Sequence, residues 1–195
     1  MSKLDEHTGA VFSFKWSKNG RYLLSGSYDK RAIVWEVTPN PTPTTAASSL
    51  LQTRIVRIYT LHDGPVLDVD WKDSEVFATC STDRAIYVCE VAGSTPLQVF
   101  KDHTDEVNAV SWSPVVNGQQ FLASCSDDIS AKIYTLSGKK HDLRGHTKEI
   151  FTLRWTPAQN APLYLCTASF DGSVKVWLGE SGDLVYTLSK YTQPI

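Results

Sequence analysis

No apolar run in this chain approaches the roughly 20 residues that a membrane-spanning helix needs, and the opening MSKLDEHTG lacks the apolar core of a secretory leader. Neither membrane insertion nor secretion is expected. Charge of one sign is also scarce: 19 Lys and Arg stand against 21 Asp and Glu, for a net charge of −2. No basic stripe tracks along the chain, so direct nucleic-acid binding is not expected. The short runs RIVR and GKKH read as solvated faces. Cysteine is sparse and wrongly spaced for a metal. Cys80, Cys89, Cys125 and Cys166 include no C-x-x-C pair, which makes them buried, reduced thiols of a cytosolic or nuclear protein rather than ligands. The chain has no P-loop, no G-x-G-x-x-G opening a helix and no G-x-S-x-G elbow. Neither cofactor nor metal is expected. The hydrophobic fraction of 42% is ordinary for a globular protein.

What the chain has in abundance is repetition. His146 is followed nine residues later by Trp155; Thr167, Ser169 and Asp171 then alternate, and Trp177 stands six residues after the Asp. The same spacing links His7, Trp16, Ser25, Ser27, Asp29 and Trp35. It recurs as His62, Trp71, Thr79, Ser81 and Asp83 with Cys89 last, and as His103, Trp112, Ser124, Ser126 and Asp128 with Tyr134 last. Four copies at a period of about 40 residues imply a solenoid, propeller or array.

The periods within each copy favour one of these. VFSFKW, VLDVDW, VNAVSW and IFTLRW are short, partly alternating and rich in β-branched and aromatic residues, as first strands should be. YLLSGS, VFATCS, FLASCS and LYLCTAS supply second strands, and AIVWEV, AIYVCEV, AKIYTL and VKVWLG third strands. RIYTL, LQVF, the short HDLR and LVYTL supply fourth strands. Four strands per copy with no competing helical pattern predict an all-β, antiparallel β-propeller. The expected blades are 7–60 with a loop insertion at 38–53, 61–101, 102–144 and 145–189, with 190–195 starting a fifth. The insertion is predicted because 38–53 is uncharged and dense in Pro, Thr and Ser. Four blades of a wider ring would leave two radial faces open, each wet large side chain forgoing roughly 1.5–3 kcal/mol. The missing blades are expected from a second copy, another chain or a continuation of this one.

Each repeated polar residue has a structural job. The turn Asp (Asp29, Asp83, Asp128, Asp171) can accept from its own turn and from the His (His7, His62, His103, His146) leading into the first strand. A second-strand hydroxyl takes the other imidazole nitrogen, and an indole N–H closes the chain, since buried polar groups need partners. The hydroxyl is either the one four before the Asp (Ser25, Thr79, Ser124, Thr167) or the one two before it; both share a strand face. Trp35 and Trp177 supply the indole in the first and fourth copies, Tyr134 offers a hydroxyl in the third, and Cys89 is a poor donor in the second. Asp, His and Ser also make up a hydrolase triad, but an active site is a single constellation with an exposed nucleophile. Four copies at fixed strand positions point instead to a stabilising device, and no enzyme is expected.

These residues resemble the WD-repeat family. The runs LDVDW, FATCSTD, YVCEV, HTDEVNAVSWSP, LASCSDD, HDLRGHTKEIFTLRWTP and ASFDGSVKVW, across Leu61 to Leu188, are similar to the transducin β-like subunits of nuclear-receptor co-repressor and histone deacetylase complexes. The resemblance implies a non-catalytic scaffold in a nuclear assembly, with co-repressor or deacetylase subunits and histone tails as partners. It also implies a ring of roughly twice as many blades. The alternative is a nuclear or cytoplasmic adaptor or substrate-receptor propeller in a ubiquitin ligase or an RNA-processing complex, because fold does not fix function.

On a propeller, binding falls to the rim beside the network. Tyr28, Thr82, Asp127 and Phe170 precede the turn Asp, and Phe12, Glu106, Asn108, Glu149 and Phe151 lie at the entrance to the first strands. Aromatics beside carboxylates suit a basic, partly apolar peptide such as a histone tail. Against this, Phe12 and Phe151 would also serve simply by packing between blades.

Overall fold

The computed structural model describes residues 5–40, 50–157 and 162–189. These form four antiparallel sheets, each a meander of four strands in chain order. The first holds β1 (Val11–Trp16), β2 (Tyr22–Ser27), β3 (Ala32–Pro39) and β4 (Leu51–Tyr59), and the second β5 (Val66–Trp71), β6 (Val76–Ser81), β7 (Ile86–Glu90) and β8 (Gln98–Phe100). The third holds β9 (Val107–Trp112), β10 (Leu122–Ser126), β11 (Ser130–Thr135) and β12 (Gly138–Arg144). The fourth holds β13 (Ile150–Trp155), β14 (Tyr164–Ser169), β15 (Val174–Leu178) and β16 (Leu184–Leu188). These sheets are the blades of a partial β-propeller. Their first strands lie side by side, β1 against β5, β5 against β9 and β9 against β13, around a common axis. The fourth strands form the outer edges.

Two strand limits differ from the sequence expectation. The stretch 38–53 is sheet at both ends, with Val37 opposite Thr53, Thr38 opposite Gln52 and Pro39 opposite Leu51. Thr and Val fit a pleated surface, and the lack of charge that argued for a loop does not oppose pairing. Residues 41–49 lie outside the described residues, as does the expected fifth-blade start at 190–195. The fourth strand of blade three is also longer than HDLR, running from Gly138 to Arg144 and pairing along the whole of β11.

Each blade is closed on the second-to-third-strand side by a tight turn. The residue after the turn Asp is left-handed in all four: Lys30, Arg84, Ile129 and Gly172 have φ of 70°, 70°, 67° and 79°. Only the last is a glycine, and a β-branched residue such as Ile129 is strained there. The Asp side chain holds the turn, accepting at Oδ1 from the N–H two residues on: Arg31, Ala85, Ser130 and Ser173, at 2.8–3.0 Å.

The core is divided among the joints between blades. Tyr22, Leu24, Ala32, Val34 and Tyr59 of blade one meet Val66, Val69, Trp71 and Phe77 of blade two. Cys80, Ile86, Val88 and Phe100 then meet Val107, Val110 and Trp112, and Cys125, Ala131, Ile133 and Leu143 meet Ile150, Leu153 and Trp155. One face of each blade therefore offers second- and third-strand residues, and the other offers first-strand residues. At two of the three joints the first-strand Trp also bonds across: Trp71 Nε1 donates to Lys15 O at 2.9 Å and Trp155 Nε1 donates to Ser111 O at 3.0 Å, whereas the buried Trp112 Nε1 makes no hydrogen bond. Cys80, Cys89 and Cys125 sit within these layers, whereas Cys166, expected to be buried, is only partly covered and lies outside them. Burial pushes the Cys89 thiol up to about 12 and the Cys80 and Cys125 thiols well above their ordinary range.

Candidate functional site

In blade one, His7 Nδ1 meets Asp29 Oδ2 at 2.9 Å, His7 Nε2 meets Ser25 Oγ at 2.7 Å, and Trp35 Nε1 donates to Ser25 Oγ at 2.9 Å. Blade four repeats this with His146, Asp171, Thr167 and Trp177 at 2.9, 2.8 and 2.9 Å. A carboxylate only accepts, so Nδ1 carries the proton. Nε2 then accepts from the hydroxyl, and the hydroxyl oxygen accepts from the indole. The hydroxyl four before the Asp therefore closes the chain. The one two before it works separately, since Ser27, Ser81, Ser126 and Ser169 Oγ each accept the N–H of the turn Asp, at 3.0–3.1 Å.

Blades two and three keep the His–Asp–hydroxyl part without the indole. His62 bridges Asp83 and Thr79, both at 2.9 Å, and Cys89 fills the indole's place with its thiol buried. His103 bridges Asp128 and Ser124, both at 2.7 Å. Tyr134 departs from its expected role. Its ring stacks on Phe100, with centroids 4.2 Å apart, and its buried hydroxyl makes no hydrogen bond. Burial pushes the phenol up, and the nearby Ser124 hydroxyl offsets only part of this. The closeness of Ser124 does not amount to bonding geometry. Tyr134→Phe is therefore expected to leave stability within about 1 kcal/mol of the unaltered chain, or to raise it, because an unsatisfied buried hydroxyl is removed. Urea unfolding checks this, and a clear destabilisation would mean that the hydroxyl is bonded.

Electrostatics make each turn Asp a fixed anion. Burial opposes ionisation, but donation by Arg31, the Thr8 N–H and His7 outweighs it and holds Asp29 far below the usual carboxylate range. Against the same opposition, His103 and Ser130 hold Asp128 down, and Ser173, the Thr147 N–H and His146 hold Asp171 down. Asp83 is likewise lowered, against burial, by His62 and by backbone donors. Burial also lowers His146, over the pull of Asp171. Ser25, Thr79, Ser124 and Thr167 are buried within these chains, so none presents a nucleophile to a substrate.

The rim follows from a repeated irregularity. The pairing of first and second strands slips by one residue at the same place in every blade: between Val11 and Ser13, Val66 and Asp68, Val107 and Ala109, and Ile150 and Thr152. The skipped residues are Phe12, Leu67, Asn108 and Phe151. A bulge re-aims its side chain, and these four converge on an axial hollow of about 360 Å³ that also touches Lys15, Asp68 and Arg154. Each residue before the turn Asp is tied to the residue before its own first strand. Tyr28 N donates to Ala10 O, Thr82 N to Pro65 O, Asp127 N to Glu106 O and Phe170 N to Glu149 O, at 2.8–3.2 Å. This arrangement pairs Phe12 with Tyr28, centroids 6.2 Å apart, and Phe151 with Phe170 at 4.9 Å.

Phe12, Tyr28 and Phe170 are exposed, and Phe151 is half-buried against Phe170. Asn108 Nδ2 donates to Asp127 Oδ1 at 2.6 Å and to Ile150 O at 2.9 Å, fixing the carboxylate beside the hollow. Burial, with Asp127 and Asp105 close by, pushes the Glu106 carboxyl up. The structure thus gathers Phe12, Asn108 and Phe151 at the axis, while Tyr28 and Phe170 flank them. Thr82 stays on the rim of blade two, outside the residues that line the hollow.

Sequence reasoning missed Leu67, Asp68 and Asp70. Asp68 takes the Ser13 hydroxyl at 2.7 Å and the Val110 N–H at 3.2 Å, so one carboxylate joins blades one, two and three. Asp70 takes the Trp112 N–H at 2.7 Å. Burial raises both carboxyls despite these bonds and despite Lys15. The signal was the alternation in VLDVDW: two acids on the inner face of an otherwise apolar first strand.

The WD domain, G-beta repeat family matches residues 1–36, 53–90, 94–135 and 137–177. Mouse F-box-like/WD repeat-containing protein TBL1X is 37% identical over 113 residues, covering 58% of this chain and 19% of that protein. WD40 repeat-containing protein HOS15 of Arabidopsis thaliana is 46% identical over 88 residues, covering 44% of this chain and 14% of its own length. Protein HIR1 of Mycosarcoma maydis is 30% identical over 142 residues, covering 70% and 14%. The chain thus spans less than a fifth of the length of these curated relatives.

Proposed function

Because this chain belongs to the WD domain, G-beta repeat family, we propose that it is a non-catalytic protein-interaction scaffold whose rim captures a basic, partly apolar peptide. The observation that carries this reading is the bulge repeated in every blade. It turns Phe12, Asn108 and Phe151 onto one axial hollow, between two aromatic pairs and beside Asp127. Aromatic faces next to fixed carboxylates attract a cationic side chain and its apolar stem together. The His–Asp–hydroxyl sets act as internal struts that hold the turns carrying Tyr28, Thr82, Asp127 and Phe170. The resemblance of Leu61 to Leu188 to transducin β-like co-repressor subunits supports a finer assignment. On that reading the chain works in the nucleus within a co-repressor and histone deacetylase assembly, with histone tails as the peptide.

The test is binding of a fluorescent histone-tail peptide to the chain and to a variant with Tyr28, Asp127 and Phe170 all changed to Ala. The variant is expected to lose about tenfold or more in affinity, as removal of interface aromatics does, while its melting temperature stays close to that of the unaltered chain. Equal affinity would remove this rim from consideration.

A further inference from the structure

The end of the blades away from the rim carries a different kind of surface. The first strands run towards it, so the connections that follow Trp71, Trp112 and Trp155 lie there, together with the turn between β11 and β12. Two hollows open among them. One, of about 620 Å³, lies between the connections of blades two, three and four, and the other, of about 510 Å³, lies further out over blade three. They meet at Lys72, Val115 and Gln120 to make one trough. Blades two and three already have neighbours on both radial sides, so a further blade, which adds beside blade one or blade four, leaves this end open.

The trough is preformed. After Trp112 the chain makes a small hairpin in which Val116 and Gln119 exchange both backbone bonds at 2.9 Å, while Asn117 and Gly118 have φ of 51° and 73°. Asn-Gly in that conformation is the pair a type I′ turn demands. Val116 is buried in the core and anchors the hairpin, which leaves its neighbour Val115 58% exposed between the two hollows. Gln120 Nε2 donates to Ser113 O at 2.9 Å and to Lys72 O at 3.0 Å, tying this connection to that of blade two. Leu136, on the outer side, is exposed as well.

Charge in the trough departs from that of the whole chain. Lys18, Lys72, Lys140 and Arg154 line it against one acid, Asp73, although acids outnumber bases 21 to 19 over the sequence. Among the described residues only Lys72 of these four joins a salt bridge, with Asp73 at 3.1 Å. Lys140 Nζ lies 4.3 Å over the Phe121 ring, and Arg154 Nη1 donates to Leu153 O and the Thr152 hydroxyl. Lys18 is exposed; its charge reaches the partly buried Asp70, whose Oδ2 already holds the Trp112 N–H.

We propose that this trough docks an acidic, partly apolar segment of a partner protein, with carboxylates on Lys72 and Lys140 and an apolar side chain between Val115 and Leu136. Cations with exposed aliphatic residues between them complement carboxylates spaced by apolar side chains, and the lysine stems add apolar contact. Nucleic acid is the poorer fit, because single-stranded chains need aromatic faces to stack on and Trp112, Phe121 and Trp155 are all buried here. The proposal does not rest on the rim function, since the two surfaces lie at opposite ends of the blades and take segments of opposite charge.

The probe is a short fluorescein-labelled peptide in which pairs of Asp alternate with Leu, read by anisotropy against the chain. Its counterpart with Asn in place of Asp should bind at least about tenfold more weakly, and added salt should weaken the acidic peptide. Lys72→Glu combined with Lys140→Glu is expected to cost about tenfold or more in affinity for it. Val115→Asp, which leaves both lysines in place, should weaken it as well, and the melting temperature of each variant shows that the fold is kept. Arg154 is left unaltered because it also lines the rim hollow. Binding of a histone-tail peptide should not change in these variants. The variant with Tyr28, Asp127 and Phe170 changed to Ala should hold the acidic peptide as the unaltered chain does, so failure at one end is distinct from failure at the other. No binding of the acidic peptide, equal binding of its Asn counterpart, indifference to the lysine reversals or tighter binding of a short oligothymidylate would each overturn the proposal. So would self-association of the chain that these substitutions abolish, since a second copy would then be the occupant.

Discussion

Trp71→Ala is expected to lower the unfolding free energy by about 3–5 kcal/mol, the usual loss on truncating a buried large aromatic. That is a large part of the ~5–15 kcal/mol that a domain of ordinary stability has. Trp71 is almost fully buried between Tyr22, stacked at 6.3 Å, and Phe77, edge-on at 5.3 Å. Its indole N–H donates to Lys15 O across the joint. Truncation therefore opens a cavity at the seam of two blades and leaves a carbonyl without its donor. Urea unfolding followed by circular dichroism measures the loss. Trp16 lies on the open face of blade one and is 50% exposed, so the matching change Trp16→Ala should shift stability by less than about 1 kcal/mol, as surface substitutions do. The same residue type at the same repeat position thus has two different energetic weights. Equal losses at both positions would contradict the open face of blade one.

That contrast also marks how far the sequence could be read. The His-to-Trp and Asp-to-Trp spacings were legible because each reflects a strand length and a turn, both local quantities. The all-β class and the order of the strands followed from them. The hydroxyl that closes the network was not legible: Ser25 and Ser27 share a strand face, and only the position of the imidazole separates their roles. The bulge was hidden for a similar reason. A slip of one residue in pairing leaves no mark on composition, so packing between blades competed with the rim as the reading of Phe12 and Phe151, and Leu67 went unnoticed. Asp68 and Asp70 were passed over because acids in a short strand look like a solvated face, whereas their partners Ser13, Val110 and Trp112 come from other blades. Tyr134 shows the limit of substitution by chemistry. A phenol can donate, but its ring stacks on Phe100 and its hydroxyl makes no hydrogen bond.

Asp128→Ala is expected to cost a similar amount, about 3–5 kcal/mol, because removing one partner of a buried, hydrogen-bonded pair leaves the others stranded. The Asp128 carboxylate receives His103 Nδ1 at 2.7 Å, the Thr104 N–H at 3.0 Å, the Ser130 N–H at 2.9 Å and the Ser130 hydroxyl at 2.6 Å. Alanine would leave all of them without an acceptor at a turn whose next residue, Ile129, is already in a left-handed conformation. This loss differs from that of Trp71→Ala in its dependence on pH. Asp128 is held well below its unfolded value by His103 and Ser130, against the opposing pull of burial. Its contribution is therefore complete above the unfolded carboxyl value of about 3.9 and is lost as pH falls towards the folded value. The stability gap between the unaltered chain and Asp128→Ala should narrow progressively below about pH 4. The gap to Trp71→Ala, which involves no titrating group, should stay nearly constant over the same range. Urea unfolding of all three chains at neutral and acid pH separates the two behaviours. A gap for Asp128→Ala that does not change with pH would show that the turn carboxylate acts through packing and not through its charge.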